Sequence, residues 1–274
     1  MKLTVTSGKG GVGKSLIASA IALNLSKKYK TILFDADAEC PNDHLILEIK
    51  MRKILDVYKF YPIIDKRKCR KCGVCAKTCK FNAIFFVPGE YPKIIKENCI
   101  GCGACKLFCP FNAIKEGKEK VGEILEGDLK KLKVLSARAK VGIEETSLVI
   151  KKGKSILQTK KADVYITDTE AGTHCPTINA LMGNEKALIV VEPTKFGIHD
   201  FLKILKLTRE LKIEALALIN KSDIGNKRKV YELCRKKKVE IIGEIPFMKE
   251  LINPTRKSVK RIKIFREIAE RLIP

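Results

Sequence analysis

The chain has 274 residues, with 55 Lys and Arg against 31 Asp and Glu, a formal net charge of +24 and an apolar share of 45%. That share suits a globular core of one large domain or two, and no run reaches the roughly 18 uninterrupted apolar residues of a membrane span. The charge invites nucleic acid, but the lysines are scattered, and the Lys-, Ile- and Glu-rich text with Gln158 as its one glutamine reads as a thermophile-like solvated surface. Docking of an acidic protein is the next expectation, and nucleic acid or a membrane surface the last.

In chain order, Lys2–Thr6 alternates like a short strand and enters a glycine-rich loop. No signal peptide is expected, and the expected compartment is the cytoplasm, where disulfides are disfavoured. Residues 16–28 are apolar at helical spacing, through Ile17, Ala20, Ile21 and Leu25. Residues 31–35 read as a buried strand ending in Asp35-Ala36-Asp37, and residues 164–168 as another ending in Asp168. Short apolar runs at 187–191, 215–220 and 240–245 alternate with helical stretches at 199–212 and 226–237. Such alternation predicts a doubly wound, mainly parallel α/β sheet with ligands at the carboxyl ends of its strands.

Residues 61–117 are of another kind, rich in Cys, Lys, Gly and Pro with few helical periods, and a stretch of this size would not bury a core of its own without cross-links or metal. The predicted division is therefore 1–58 with 118–274 as one discontinuous domain and 59–117 as an insert, its two copies about 60–89 and 90–117. Beyond it, 121–125 reads as a strand, 129–141 as a basic, possible helix, and 147–161 as a possible hairpin. Val259, Ile262, Phe265, Ile268 and Leu272 recur every three or four residues, opposite Lys257, Lys260, Lys263 and Arg266. A last helix docked on the sheet is the preferred reading there, ahead of a membrane-surface helix.

Gly8-Lys9-Gly10-Gly11-Val12-Gly13-Lys14-Ser15 fits G-x-x-x-x-G-K-[ST] between a strand and a helix. Its glycines let backbone N–H groups turn onto phosphate oxygens, and the following helix adds its positive end. Lys14 neutralises the β- and γ-phosphates, and the Ser15 hydroxyl can ligate Mg²⁺.

Eight of eleven cysteines spell one pattern twice: Cys69, Cys72, Cys75, Cys79, then Cys99, Cys102, Cys105, Cys109. Each copy ends in Phe-Asn-Ala-Ile, at 81–84 and 111–114. Three cysteines within seven residues suit a cubane whose irons each need one thiolate. A zinc site of four cysteines is the alternative, although zinc frameworks pair C-x2–4-C with a distant second pair. Two such clusters, each about −2, would bring the net charge to nearly +20. Cys234 reads as core, Cys40 and Cys175 as buried free thiols ahead of a shared metal site, and His44, His174 and His199 as structural.

With Lys9 directly after the first glycine, the phosphate loop resembles that of the MinD/ParA/Mrp-type ATPases, a family that also includes nitrogenase iron protein. The resemblance covers most of the chain outside about 56–162 and extends to members with an inserted ferredoxin domain, including Glu192-Pro193-Thr194 after a strand. It implies an ATPase that closes a homodimer on ATP and Mg²⁺, with Lys9 reaching the partner subunit's phosphates and Asp37 orienting the attacking water. It also implies Asp168 in the magnesium shell and Asn220 reading adenine. By likeness to two-cluster ferredoxins, Cys69, Cys72, Cys75 and Cys109 would hold one [4Fe–4S] cluster and Cys79, Cys99, Cys102 and Cys105 the other, serving a redox protein not identified by the sequence.

Three positions depart from the resemblance. Asp168-Thr169-Glu170-Ala171-Gly172 lacks the family's proline, and Glu170 either hydrogen-bonds a switch backbone or shares the task of Asp37. Asn220-Lys221-Ser222-Asp223 also fits the guanine-reading N-K-x-D, so GTP stands as the alternative to ATP. Lys80 follows Cys79 where Pro110 follows Cys109. The expected function is electron transfer coupled to nucleotide state. An Mrp-type iron–sulfur carrier is the alternative, and a membrane- or DNA-positioning ATPase the third reading.

Overall fold

The computed structural model describes residues 1–143 and 146–273. The chain divides into two compact units, Met1–Leu55 with Glu123–Pro274, and Asp56–Gly122. In chain order the elements are β1 (Lys2–Thr6), α1 (Lys14–Leu25), β2 (Thr31–Ala36), α2 (Asp43–Ile46), β3 (Arg52–Ile64), α3 (Val74–Thr78), β4 (Ile84–Phe85), β5 (Lys93–Ile94), α4 (Ala104–Leu107) and β6 (Ile114–Leu129). There follow β7 (Leu132–Ala139), α5 (Ser147–Thr159), β8 (Val164–Thr169), α6 (Cys175–Leu181), β9 (Lys186–Val191), α7 (Lys195–Glu210), β10 (Glu214–Asn220), α8 (Lys227–Lys237), β11 (Glu240–Ile245), α9 (Arg256–Arg261) and α10 (Lys263–Leu272).

The main sheet runs β11-β10-β9-β1-β8-β2-β7-β6-β3. Its neighbours from β11 to β7 are all parallel, and the central strands are buried apolar runs, as strands covered on both faces must be. This is a doubly wound, mainly parallel α/β fold. The two-residue link Lys130-Lys131, with Lys130 at φ 55°, turns β6 into β7.

Two expectations after the insert are corrected. Residues 129–141 hold a strand, not a helix: β7 lies between β2 and β6, and Leu132, Val134, Leu135, Ser136 and Ala137 are all buried. Burial on both faces outweighs the helical preference of Leu, Ala and Lys. Residues 147–161 hold a helix, not a hairpin, with Val149, Ile150, Gly153 and Leu157 inward at helical spacing. Gly153 is where this helix meets the sheet most closely. A Cβ there would lie 2.6 Å from the Phe34 ring, so this glycine marks a close helix–sheet approach and not a turn.

The C-terminal apolar stripe is docked, on two helices. The chain is extended at Ile262 (ψ 111°) between α9 and α10, and Val259, Phe265, Ile268 and Leu272 are buried in the core cluster that includes Ile17, Ile21 and Leu25 of α1. Among the described residues, no helix is long and apolar enough to cross a membrane.

The Asp56–Gly122 unit has a small centre. Cys75, Ile84, Cys105 and Ile114 are its buried apolar cluster, with Phe60, Ala76, Cys79, Ile94 and Cys109 against it. The sequence repeat is also a backbone repeat. Gly73 and Gly103 sit at φ 72° and 75° before α3 and α4, and Asn82 and Asn112 at φ 50° and 48°. The copies exchange hydrogen bonds symmetrically: Asp65 N donates to Ala113 O and Ile95 N to Ala83 O, both at 2.8 Å.

Candidate functional site

The glycine-rich loop, Gly8 through Ser15, joins β1 to α1. Two of its glycines are required by close approach. A Cβ on Gly8 would lie 2.3 Å from the Asp200 carbonyl oxygen, and one on Gly13, at φ 92°, 2.6 Å from Asn220 Nδ2. The loop is braced from β10: Asn220 Nδ2 donates to Val12 O at 2.7 Å and Lys221 Nζ to Gly11 O at 3.1 Å. Asn220 thus lines the cavity with its amide nitrogen engaged by the loop. Asp223 Oδ1 accepts from Phe247 N at 2.7 Å. A cavity opens over Gly10, Gly11, Gly13, Lys14 and Ser15, with Asp37, Asn220, Pro246 and Phe247 on its walls, a lining that suits the phosphates of a mononucleotide.

The strands then set the acids. β2 and β8 pair in register, Asp35 opposite Asp168, so the two strand-end carboxylates are neighbours. A third acid that sequence reasoning missed, Asp43 at the start of α2, joins them. Carboxylate oxygens of Asp35, Asp43 and Asp168 lie within 4.8 Å of one another, and all three residues are fully buried. Asp35 accepts backbone N–H bonds from Asp37 (3.2 Å), Asn42 (2.9 Å) and Asp43 (3.2 Å), so it folds the loop 37–43 over itself. Asp43 accepts from Ser19 Oγ at 2.7 Å. The signal for Asp43 was available in Asp35-x7-Asp43, but no spacing rule reaches across an irregular loop.

Burial and mutual repulsion push Asp35 and Asp43 well above the usual carboxylate range. Burial pushes Asp168 up to about 7, against the pull of Lys14 and then of the Ser15 hydroxyl. Neither Asp168 oxygen has a hydrogen-bond partner among the described residues. Two orphaned oxygens beside a serine hydroxyl suit a hard cation that takes oxygen ligands, so these residues fit Mg²⁺. Asp37 is partly buried, which raises its carboxyl, while its Oδ1 accepts from Cys40 N at 3.2 Å.

Lys9 lies on the outer side of the loop, its side chain 46% exposed, with Nζ 3.6 Å from Glu192 Oε2. Glu192 also pairs with Lys221. Glu170 Oε1 accepts from Thr146 Oγ1 at 2.8 Å, an anchor at the start of α5.

In the Asp56–Gly122 unit the cysteines gather at two small cavities. Cys69, Cys72, Cys75 and Cys109 line the first, and Cys79, Cys99, Cys102 and Cys105 the second. Each cavity therefore takes three cysteines from one copy and one from the other. The contributed sulfurs are held alike, Cys79 Sγ by Ala83 N and Cys109 Sγ by Ala113 N, both at 3.3 Å. Burial raises the Cys75 thiol and pushes Cys105 up to about 11. None of the eight is joined in a disulfide.

The spacing of the sulfurs tests which metal fits. Zinc binds thiolates at about 2.3 Å, which places tetrahedral sulfurs roughly 3.8 Å apart. Among the described residues, the acid triad is the sole group of three or more ligand side chains within 4.8 Å of one another. Neither cysteine set is among the groups gathered that closely, and four cysteines at each cavity match the one thiolate per iron of a four-iron cluster. These eight residues fit two [4Fe–4S] clusters.

Cys234 is buried, as expected, but Cys40 and Cys175 are exposed, which corrects the reading of both as buried thiols. Cys40 lies in the loop between β2 and α2, and Cys175 is the first residue of α6, where no element covers a side chain.

A family model described as the CobQ/CobB/MinD/ParA nucleotide binding domain matches residues 3–259. An uncharacterized protein of Methanocaldococcus jannaschii, MJ0578, is 35% identical over 228 residues, covering 82% of this chain and 80% of the relative. An uncharacterized ATP-binding protein of the same organism, MJ0823, is 27% identical over 256 residues, 92% and 87% of the two chains. Among solved structures, the septum site-determining protein MinD of Pyrococcus horikoshii, complexed with Mg-ADP, superposes with a TM-score of 0.63 at 15% identity, covering 99% of this chain and 95% of that one. That last likeness is one of fold.

Proposed function

Because the chain belongs to the CobQ/CobB/MinD/ParA nucleotide-binding family, we propose that it is a dimeric, ATP-hydrolysing iron–sulfur protein that couples nucleotide state to electron transfer. The observation that carries the iron–sulfur half is the exchange of one cysteine between the copies, which puts four sulfurs at each cavity. The clusters, when bound, supply one-electron redox chemistry. The protein supplies the thiolates, a backbone N–H bond to Cys79 and to Cys109, and a shell of apolar residues.

On the nucleotide side, the loop amides and Lys14 bind phosphate, Ser15 and Asp168 hold Mg²⁺, and Asp37 accepts a proton from, or orients, the attacking water. Lys9 is suited to act across a homodimer. Its pairing with Glu192 is half-exposed on the lysine side, and exchanging such a partner costs about 1 kcal/mol. ATP is favoured over GTP, since Asp223, the residue that would read guanine, has an oxygen engaged by Phe247 N. The order of the chain supports coupling: residues 56–122 fall between Asp37 and Asp168, the two segments expected to respond to nucleotide.

The test is anaerobic reconstitution of the full chain with iron and sulfide, then reduction potentials of both clusters with and without Mg-ATP. A shift in either couple, or in the rate of electron delivery, is the expected result. Unchanged potentials and rates would sink the coupling. Transfer of clusters to an apo-acceptor would instead promote the Mrp-type carrier, although this chain has no Cys-x-x-Cys after Cys109. ATP binding without iron uptake would leave the positioning ATPase.

A further inference from the structure

The two copies in Asp56–Gly122 match in spacing and backbone, so their differences are informative. Lys66, Arg67, Lys68, Arg70 and Lys71 flank Cys69, and all five are exposed. The equivalent positions around Cys99, thirty residues on, hold Lys96, Glu97, Asn98, Ile100 and Gly101. One loop carries five cations, the other one lysine and one glutamate.

Ion pairing widens the contrast. Lys96 lies 3.5 Å from Glu119, and Lys106 on α4 lies 2.9 Å from Glu116. Among the described residues, Lys66, Lys68, Arg70 and Lys71 have no carboxylate oxygen within 4.0 Å. Arg67 reaches Asp65 at 3.9 Å, but that carboxylate is engaged by Lys115 at 2.9 Å. Lys66 and Lys71 both stand over the Tyr91 ring, 5.6 and 4.7 Å from its centroid. A cation–π contact holds a cation in place without neutralising it. Arg70 lines the first cavity, and Cys72 beside it is exposed. The second cavity's copy instead exposes Ile100, Leu107 and Phe108.

We propose that the first cavity is the port for an acidic redox protein, whose carboxylates seat on the collar of Lys66, Arg67, Lys68, Arg70 and Lys71. This rests on the reading that the unit carries redox clusters, and it deepens that reading by assigning a side and a partner chemistry. The five cations lie within six residues of chain around Cys69, a thiol of the first cavity, and Arg70 itself lines that cavity, so the charge is concentrated at one loop and is not spread as a long stripe for a nucleic-acid backbone. Cations so placed steer an acidic partner to the edge nearest the first cysteine set, and the gain lies mostly in association rate.

The experiment uses the full chain, reconstituted anaerobically, with an acidic two-cluster ferredoxin as probe. Association rates are measured by stopped flow at about 50 and about 300 mM salt, where screening lengths differ. Arg67→Glu/Arg70→Glu should slow association about tenfold or more at low salt and by less than about threefold at high salt. Lys96→Glu/Leu107→Glu should change it by less than about twofold. Arg67→Gln/Arg70→Gln, with a smaller loss in the same direction, covers a reversal that impairs folding. Equal effects at the two loops overturn the port, as does tighter binding of a DNA duplex or of anionic vesicles than of the ferredoxin at the same salt. Iron and sulfide content of the same samples separates the two readings. A wild-type chain that takes up no iron overturns the clusters and the port together, whereas loaded variants of equal rate overturn the port alone.

Discussion

At the centre of the Asp56–Gly122 unit, two of the four buried residues are cysteines, Cys75 and Cys105. At the centre of the remaining unit, a continuous apolar cluster runs from Leu3 and Val5 through α1 to Phe265 and Leu272, and the functional side chains sit at its edge, on strand ends and loops. The nucleotide site is thus mounted on a core that is complete without it. The cysteine unit has its proposed ligands where a core would be, so on that proposal binding iron and holding the fold would be one event there.

The sharpest way to break that comparison is to remove the ligands. Cys75→Ser/Cys105→Ser should abolish stable iron in both cavities and raise the rate of proteolysis within 56–122 by more than about tenfold, while Mg-ATP binding stays. Limited proteolysis with and without an iron chelator checks this. A unit equally protected without metal would show that its core suffices. In the other unit the reverse pattern is expected. Lys14→Ala should weaken ATP binding by about a hundredfold or more with no change in melting temperature, and Asp37→Ala should lower turnover by about 10²–10⁴ with ATP binding retained. Nucleotide titration and steady-state phosphate release distinguish the two.

The acid triad gives a prediction of intermediate size. Burial raises Asp168 to about 7, so the folded state without metal holds a proton there that the unfolded chain has lost. Stability from this group therefore falls as pH rises from about 4 towards 7, and Mg²⁺ must displace the proton. Affinity for Mg-ADP should rise up to about tenfold per pH unit below 7 and flatten above it. Asp168→Asn should weaken binding and flatten the slope, as read by calorimetry in buffers of differing ionisation heat. A slope that persists in the variant would assign the proton to Asp35 or Asp43, both also raised by burial.

What could be read from the chain alone follows the same division. The phosphate loop and the cysteine runs are local, with ligands a few residues apart, so spacing alone points to them. The exchange of Cys79 and Cys109 between cavities came only from resemblance, because no local rule says where a fourth ligand goes. Asp43 stayed hidden because Asp35 recruits it through backbone amides of a loop without periodicity. The brace from Asn220 to Val12 joins residues 208 apart, and its motif suggested a base reader. The hairpin reading of 147–161 failed where the helix α5 stands, because what fixes Gly153 is the Phe34 ring on β2, more than a hundred residues away. Gly153→Ala would press a methyl group into that ring and should cost about 1–3 kcal/mol, a melting-temperature loss visible by calorimetry without change in iron content.

The smallest expected effect is at Lys9, and its smallness is informative. In a single chain Lys9 pairs with Glu192 at 3.6 Å, and Glu192 also holds Lys221, which braces Gly11 of the loop. Glu192→Gln removes both pairings. If Lys9 only stabilises its own loop, Lys9→Ala should cost under about 1 kcal/mol of stability, and Glu192→Gln, which also frees Lys221 and lies at a buried position, should cost at least as much. If Lys9 acts on the phosphates of a second subunit, the two diverge. Lys9→Ala should lower turnover strongly and lose ATP-dependent dimerisation by light scattering, while Glu192→Gln, having released the lysine, should leave dimerisation at least as favourable as in the wild type. Parallel losses in both variants would return Lys9 to the surface of its own subunit.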